Sequence, residues 1–207
     1  PFFVRTNNAI SIIHKVQNHN EETVSSVVSS RNTFGFPSST RGEASPKPDY
    51  VRSFSSEGAS YLPEMDVANG REFVHLNKVM MSKLISEHAG EPDKSGMFRV
   101  LSRTQLLAPG DVCTDSYLIA YPNPDKSKVQ NFLNYLRTKF SRFLLLQAVT
   151  SINLSREKFS LVPLQDFSKS WTDEELYLKY ELNEDEITFI ESMIRPMDLS
   201  IGDDANE

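Results

Sequence analysis

Apolar residues recur at helical spacing in several segments, and polar capping residues mark where those segments begin. An amphipathic helix is predicted after Asn7 or Asn8, either of which is a good N-cap, from one apolar face comprising Ala9, Ile12, Ile13 and Val16. Ser127 and Gln130 fit the S-x-x-Q capping box. The longest apolar face follows them and comprises Val129, Phe132, Leu133, Leu136, Phe140, Phe143 and Leu144. We therefore predict one long amphipathic helix, from Ser127 to Leu146, as the anchor of the core.

Shorter helices are predicted from the same signals. One runs from Asn20 to about Ser30, and acidic residues at its start complement the helix dipole. Two more lie near the C-terminus, and their capping boxes are formed by Thr172 with Glu175 and by Asn183 with Glu186. The last helix is expected to stop at Pro196 and to bury Ile187, Ile190 and Ile194.

Between the helices the pattern favours β-strands. Three segments from Arg71 onward indicate at least three strands, with helix as an alternative over 75–85: EFVHLNKVMMSKLI, GMFRVLSRTQLL and TDSYLIAY. KFSLVPLQDF predicts a further strand, which Pro163 confines to an edge or terminates. Half of residues 35–60 are Gly, Pro or Ser, which predicts a long loop lying against the domain or a partner. The expected fold class is α+β, a single mixed domain in which a small β-sheet packs on the long amphipathic helix, with short C-terminal helices.

Charge is distributed unevenly along the chain. The 207 residues carry a net charge of −6, but residues 172–207 contain twelve acidic and two basic residues, which leaves +4 for residues 1–171. We expect an α/β core over 1–171 and an acidic helical extension over 172–207. Residues 126–158 carry seven basic residues against one acidic residue. This division permits nucleic-acid binding, but a solvated helix face beside an acidic tail has the same pattern.

The residues that carry chemistry argue against catalysis by this chain. No two of the eight glycines have the G-x-G spacing of an adenosylmethionine cradle, and no N-P-P-[YF] tetrapeptide is present to hold an amino group for methylation. The carboxylate and lysine pattern of a magnesium nuclease is incomplete, and His14 and His19 do not share a helical face as metal ligands would. The single cysteine, Cys113, has no disulfide partner and is expected to be a structural thiol in a reducing cytoplasm.

Signals for other compartments are lacking. No apolar stretch approaches the roughly 20 residues of a membrane span, and no secretory signal is visible. We expect a cytoplasmic protein. Because the chain begins PFFVRTNN rather than with methionine, we also expect it to be a fragment of a longer polypeptide.

Three segments resemble the C-terminal specificity region of bacterial N6-adenine DNA methyltransferases of type II restriction-modification systems. They are VSSVVSSRNTFGFPSSTRG, CTDSYLIAYPNPDKSKVQNFLNYLRTKFSRFLLL and, most specifically, FSLVPLQDFSKSWTDEELYLKYELNEDEITFIESMIRPM. The resemblance implies target recognition on double-stranded DNA. It also implies an N-terminal Rossmann-like domain of the same protein that binds S-adenosylmethionine and carries the N-P-P-[YF] motif. This chain would bind no cofactor, and its parent would be a site-specific adenine methyltransferase, fused to or paired with an endonuclease in some systems.

The candidate DNA contacts are basic residues in or near the segment where the resemblance is weakest and the target varies. They are Arg31, Lys78, Lys83, Arg99 and Arg103. Arg31, followed by Phe34 and Gly35, suits a loop that enters a groove, although a cation at a helix C-terminus fits equally well. A second candidate face is the basic side of the long helix, at Lys128, Arg137, Lys139 and Arg142. The alternative function is a protein-interaction module that docks a partner on its acidic C-terminal helices.

Overall fold

A computed structural model describes residues 9–86 and 92–197 of the chain. The helices are α1 (Ala9–Gln17), α2 (Arg71–Val74), α3 (Lys126–Arg137), α4 (Lys139–Ala148), α5 (Asp173–Lys179) and α6 (Glu184–Met193). The strands are β1 (Tyr50–Ser55), β2 (Gly58–Pro63), β3 (Asn77–Ser82), β4 (Thr104–Leu107), β5 (Asp111–Cys113) and β6 (Tyr117–Asn123). The α+β prediction is confirmed, with two small sheets rather than one. No helix in the described ranges is long and apolar enough to cross a bilayer.

Each sheet has three strands. In the first, with the order β2-β1-β5, β1 is antiparallel to β2 and parallel to β5. In the second, with the order β4-β3-β6, both pairings are antiparallel. Residues Val28 and Ser29 extend the second sheet beyond β6, because Val28 forms a bridge with Ala120 and the Ser29 amide donates to the Ile119 carbonyl at 2.7 Å.

Strand β3 lies between two hydrophobic cores because apolar residues occupy both of its faces. Val79 and Met81 face the larger core, whereas Met80 between them faces the smaller core. The larger core is built on α1, α3, α4 and the C-terminal helices. The smaller core includes Phe34 and apolar residues of β1 and β5. The second sheet is therefore covered on both faces, which explains why its strands do not alternate with polar residues.

The long helix predicted from Ser127 to Leu146 is two helices that meet at Thr138. Thr138 has extended backbone (ψ 153°), ends α3 and caps α4, because its hydroxyl accepts from the Ser141 amide. Asp173, which lies far along the chain, completes this cap by accepting from the Lys139 and Phe140 amides at 3.0 and 2.8 Å. The predicted capping box is also wrong. Asp125 is the N-cap of α3, since its carboxylate accepts from the Ser127 and Lys128 amides.

Other local predictions were corrected by the structure. Within 35–60, which was expected to be one loop, the chain forms β1 and the start of β2. The segment predicted as the KFSLVPLQDF strand begins inside a 3-10 helix (Arg156–Leu161), and the helix predicted from Asn20 is a single 3-10 turn at Val24–Val27. Helix α1 is present as predicted, but its candidate caps Asn7 and Asn8 lie outside the described residues.

The C-terminal capping boxes are confirmed. Thr172 with Glu175 starts α5 and Asn183 with Glu186 starts α6, each with both reciprocal hydrogen bonds. Ile190 and Ile194 are fully buried, and Ile187 is half-buried. Leu176 and Tyr180 of the acidic segment join the same larger core as α3 and α4. The described part of the acidic extension is thus packed onto the body of the domain.

Candidate nucleic-acid interface

Lys78 is buried inside the fold. The residue is 0% exposed, and its ammonium donates to the carbonyls of Val74 and Leu76, each at 2.9 Å. Burial lowers the pKa of Lys78 to about 8, against the smaller opposing effects of Asp111 and Cys113. The prediction that Lys78 lies on a DNA-binding face is therefore wrong, because all its hydrogen bonds are to backbone inside the molecule. Its ammonium instead holds the turn that follows α2.

Lys83 and Arg103 lie close together at one end of the second sheet. The Ser82 amide donates to the Arg103 carbonyl at 2.9 Å. The Lys83 ammonium forms an ion pair with Asp115 at 2.7 Å, and its side chain is 11% exposed. The Arg103 guanidinium donates to Gln105 Oε1 at 3.1 Å. Both cations are thus engaged by the protein itself, which leaves little of either for a phosphate.

Arg99 and Arg31 lie elsewhere. Arg99 is half-buried and donates to the Ser102 carbonyl at 3.3 Å. Arg31 is exposed and follows Val28 and Ser29, which pair with the outer edge of β6. Arg103 precedes β4, at the opposite edge of the same sheet. The five predicted contacts therefore do not form one group, because Lys78 is buried and Arg31 and Arg103 lie at opposite edges of the sheet.

Three of the four residues of the second predicted face, on the long helix, are held by the fold, and the fourth, Lys128, is half-buried. Arg137 and Arg142 are 3% and 1% exposed. The Arg137 guanidinium donates to the Thr104 hydroxyl at 3.0 Å, and the Arg142 guanidinium donates to the Arg137 carbonyl at 2.9 Å. Lys139 forms an ion pair with Glu191 of α6. Arg137, Lys139 and Arg142 thus stabilise the packing around the helix pair rather than form a basic surface.

A cleft of about 570 Å³ opens where the two cores meet. One side is the loop 26–33, and the other sides are residues 69–73 and the outer part of β6. The lining residues that bear on its chemistry are Arg31, Asn32, Asn69, Phe73, Tyr121 and Arg156. Of the predicted DNA contacts, Arg31 is the one that lines this cleft.

The loop that carries Arg31 is held firmly by the rest of the domain. The Ile119 amide donates to the Ser29 hydroxyl at 3.0 Å, and the Ser29 and Thr33 hydroxyls share a hydrogen bond of 2.6 Å. Asn32 adopts the left-handed conformation with φ +54°, which asparagine tolerates better than most residues. The Arg31 side chain therefore extends from a rigid loop, as residues that must meet a ligand in one geometry usually do.

Basic side chains outnumber acidic ones in the lining of the cleft. Among the described residues, neither Arg31 nor Arg156 forms an ion pair with a carboxylate, and both are exposed. Arg156 Nε donates to the Ser25 carbonyl at 3.0 Å, which ties this guanidinium to the base of the loop that carries Arg31. Glu72 is the acidic residue that lines the cleft. Arg71, beside it, is exposed and donates to the Met65 carbonyl.

The sequence did not single out Arg156 as a residue of this cleft. It lies in the basic stretch 126–158, but nothing in the local pattern separates it from Arg137 and Arg142, which are buried. The distinction depends on tertiary packing.

In the described part of the chain, no three His, Cys, Asp or Glu side chains are grouped to hold a metal ion. Cys113 is buried, as predicted, and burial raises the pKa of its thiol to about 12.

Gly70 allows the two walls of the cleft to approach each other. Its φ is +59°, and a Cβ added there would lie 2.7 Å from the Thr33 carbonyl oxygen. Gly70→Ala is expected to lower the free energy of unfolding by about 2–3 kcal/mol, through backbone strain together with displacement of the loop 30–33. Urea denaturation would measure the change.

Gly110→Ala is the matched control for this substitution. Gly110 also has a positive φ, +86°, but a Cβ there meets nothing within 4 Å. Gly110→Ala should therefore lower the free energy of unfolding by about 1 kcal/mol, through backbone strain alone. Equal losses at Gly70 and Gly110 would mean that contact between the walls contributes nothing.

No protein-family model and no curated protein matches this chain.

Proposed function

We propose that this chain is the DNA target-recognition domain of a bacterial, cytoplasmic restriction-modification system that methylates adenine, and that it holds double-stranded DNA at the cleft. The observation that carries the proposal is the pair of exposed guanidiniums, Arg31 and Arg156, with no carboxylate partner among the described residues. Elsewhere in the fold, cations such as Lys83, Lys139 and Arg41 have acidic partners. Unpaired arginines that line one concave surface are suited to meet DNA phosphates and base edges.

Methyl transfer is assigned to a separate catalytic domain in this proposal. Neither a glycine-rich cofactor turn nor an N-P-P-[YF] tetrapeptide occurs in the sequence. S-adenosylmethionine would therefore be bound by that domain, while this one selects the DNA sequence. The resemblance of the C-terminal segment to the specificity region of adenine methyltransferases supports this division of roles.

Arg31→Ala and Arg156→Ala are expected to weaken duplex binding. If the lost side chain meets a phosphate, the affinity falls on all sequences, and the slope of log K against log salt decreases in magnitude by about one unit. If it meets a base edge, the loss is about 1–3 kcal/mol on the preferred sequence only. The measurement is fluorescence anisotropy with the 207-residue chain, on a preferred duplex selected from a random library and on a scrambled duplex, at several salt concentrations.

Two matched variants control this experiment. Lys83→Ala removes a cation that is already paired with Asp115, and Arg41→Ala removes an arginine that is paired with Glu57 outside the cleft. Both should leave the affinity and the salt slope unchanged. Wild-type values for both Arg31→Ala and Arg156→Ala would exclude the cleft as the DNA surface. Absence of salt-dependent duplex binding by the wild-type chain would contradict the function itself.

One observation favours the alternative, a protein-docking module. Leu178 of the acidic helix α5 is 81% exposed, unlike the buried apolar residues beside it. An apolar docking surface would retain affinity at high salt, whereas DNA binding weakens steeply. A partner whose binding is insensitive to salt and is lost in Leu178→Glu would support this alternative.

A further inference from the structure

The interior of the cleft is larger and chemically more varied than a phosphate contact requires. Its volume of about 570 Å³ falls within the range of roughly 300–1,000 Å³ of small-molecule sites. Two aromatic side chains, Phe73 and Tyr121, line it together with the arginines. A surface that met only the phosphate backbone would need the cations but not the rings.

The two rings are held in place by different parts of the fold. Phe73 is half-buried and packs against the smaller core. Tyr121 belongs to the larger core, where it stacks on Phe132 with the ring centroids 4.9 Å apart and the planes 17° apart. Its backbone φ is +50°, an uncommon conformation for a bulky residue, and such outliers cluster at ligand sites. Both residues stay partly exposed and line the same cleft.

The polar groups of the cleft complement a nucleotide. The Asn32 carboxamide oxygen is buried, and no described residue donates a hydrogen bond to it. A buried acceptor without a donor is unfavourable, so a ligand amino group that reaches Asn32 after a small side-chain rotation would be stabilised there. Asn69, on the opposite side, adds another amide. Amides that read base edges, rings that stack on bases and arginines that hold phosphates are the usual components of single-nucleotide sites.

We propose that the cleft binds one nucleotide unit, with its phosphate held by Arg31 and Arg156 and its base packed between Phe73 and Tyr121. Arg156 is tied to the loop that carries Arg31, because its Nε donates to the carbonyl of Ser25, the residue just before the loop 26–33. A nucleotide swung out of a DNA duplex and a free mononucleotide have this same chemistry. The assignment of this nucleotide to DNA rests on the function proposed above. The nucleotide site would exist whether or not that function is correct.

Titration of the 207-residue chain with each of the four deoxynucleoside monophosphates, with the nucleosides and with inorganic phosphate tests the site. Binding followed by NMR chemical shifts should be tightest for a nucleoside monophosphate. Removing either the base or the phosphate should weaken it about five- to a hundredfold, since the two halves use different side chains. Equal affinity for phosphate and for all the monophosphates would mean an anion site without a base pocket, and would overturn the proposal.

Variants separate the two halves of the site. Arg31→Ala should reduce the affinity for a monophosphate towards that of the nucleoside, and Phe73→Ala should reduce it towards that of phosphate. Because Phe73 is half-buried, its variant is checked by thermal unfolding, and Asn32→Asp serves as a second variant that puts a negative charge in the cleft and should repel the phosphate. Arg41→Ala should bind like the wild type. Wild-type affinity in both Phe73→Ala and Asn32→Asp would refute the assignment.

Duplexes with and without one unpaired nucleotide distinguish the two sources. If the nucleotide belongs to DNA, a duplex with a single bulged base should bind more tightly than a fully paired one, and Phe73→Ala should remove the difference without abolishing duplex binding. Monophosphate binding without any duplex binding would support the nucleotide site and identify a free nucleotide as its ligand. It would contradict the proposed function. Duplex binding that depends on Arg31, with neither monophosphate binding nor a bulge preference, would overturn this proposal and leave that function standing.

Discussion

Phe140→Ala is expected to lower the free energy of unfolding by about 3–5 kcal/mol. Phe140 is 0% exposed, and its ring stacks on Tyr180 with the centroids 5.0 Å apart. Its amide also donates to Asp173, so the residue lies where α4 meets the C-terminal segment. Truncation to alanine would leave a cavity between two elements that cannot easily close, because the Asp173 cap holds them at their present distance.

The measurement for Phe140→Ala is the urea midpoint and slope, followed by circular dichroism. Leu178→Ala is the matched control, since Leu178 lies on the neighbouring helix α5 and is 81% exposed. It should change stability by less than about 0.5 kcal/mol. An unchanged midpoint in Phe140→Ala would mean that α4 is peripheral to the cooperative fold. A decrease in the urea slope would indicate that the acidic segment unfolds separately.

The contribution of the buried Lys78 to stability is expected to rise by about 2 kcal/mol between pH 8 and pH 10. Burial lowers its pKa from 10.5 to about 8 in the folded chain. The unfolded chain, in which a lysine has a pKa of about 10.4, therefore binds more protons in this window. Linkage then makes the free energy of unfolding increase with pH. In physical terms, the unfavourable burial of the ammonium is present below pH 8 and is relieved as the proton is lost.

Cys113 acts in the opposite direction and must be removed to see this effect clearly. Burial raises the pKa of its thiol to about 12, so the unfolded thiol loses its proton first and stability falls above about pH 9. Burial also raises the pKa of Tyr135, Tyr177 and Tyr180, which lowers stability above about pH 10. Urea denaturation at pH 7, 8, 9 and 10 should therefore compare Cys113→Ala with the double variant that adds Lys78→Met. The tyrosines act equally in both, so between pH 8 and pH 10 the free energy of unfolding of Cys113→Ala should gain about 2 kcal/mol relative to the double variant. Parallel curves for the two would exclude Lys78 as the source.

The candidate site was only partly predictable, because exposure decides which cations can meet a ligand. The sequence pointed to Arg31 from its loop-like neighbours, and Arg31 does line the cleft. Lys78 has the same charge and lies in the variable segment, yet it is fully buried because the turn after α2 supplies carbonyls that satisfy its ammonium. No pattern within a few residues of Lys78 distinguishes these two situations.

Local signals determined part of the fold by themselves. The apolar spacing of α1 and the capping boxes of α5 and α6 act within a few residues, so they could be identified from the sequence. The α+β class followed from the same periodicities. The break at Thr138 did not, because the apolar face continues through it and part of its stabilisation comes from Asp173.

The tertiary structure alone decided where the cleft lies. Ser29 reaches Ile119 across 90 residues of chain, and Gly70 meets the loop at Thr33. These contacts bring Arg31, Phe73, Tyr121 and Arg156 to one surface although they are spread over more than half of the sequence. Periodicity and capping are interactions between near neighbours, whereas strand pairing and the burial of a cation depend on residues that meet only after the chain has folded.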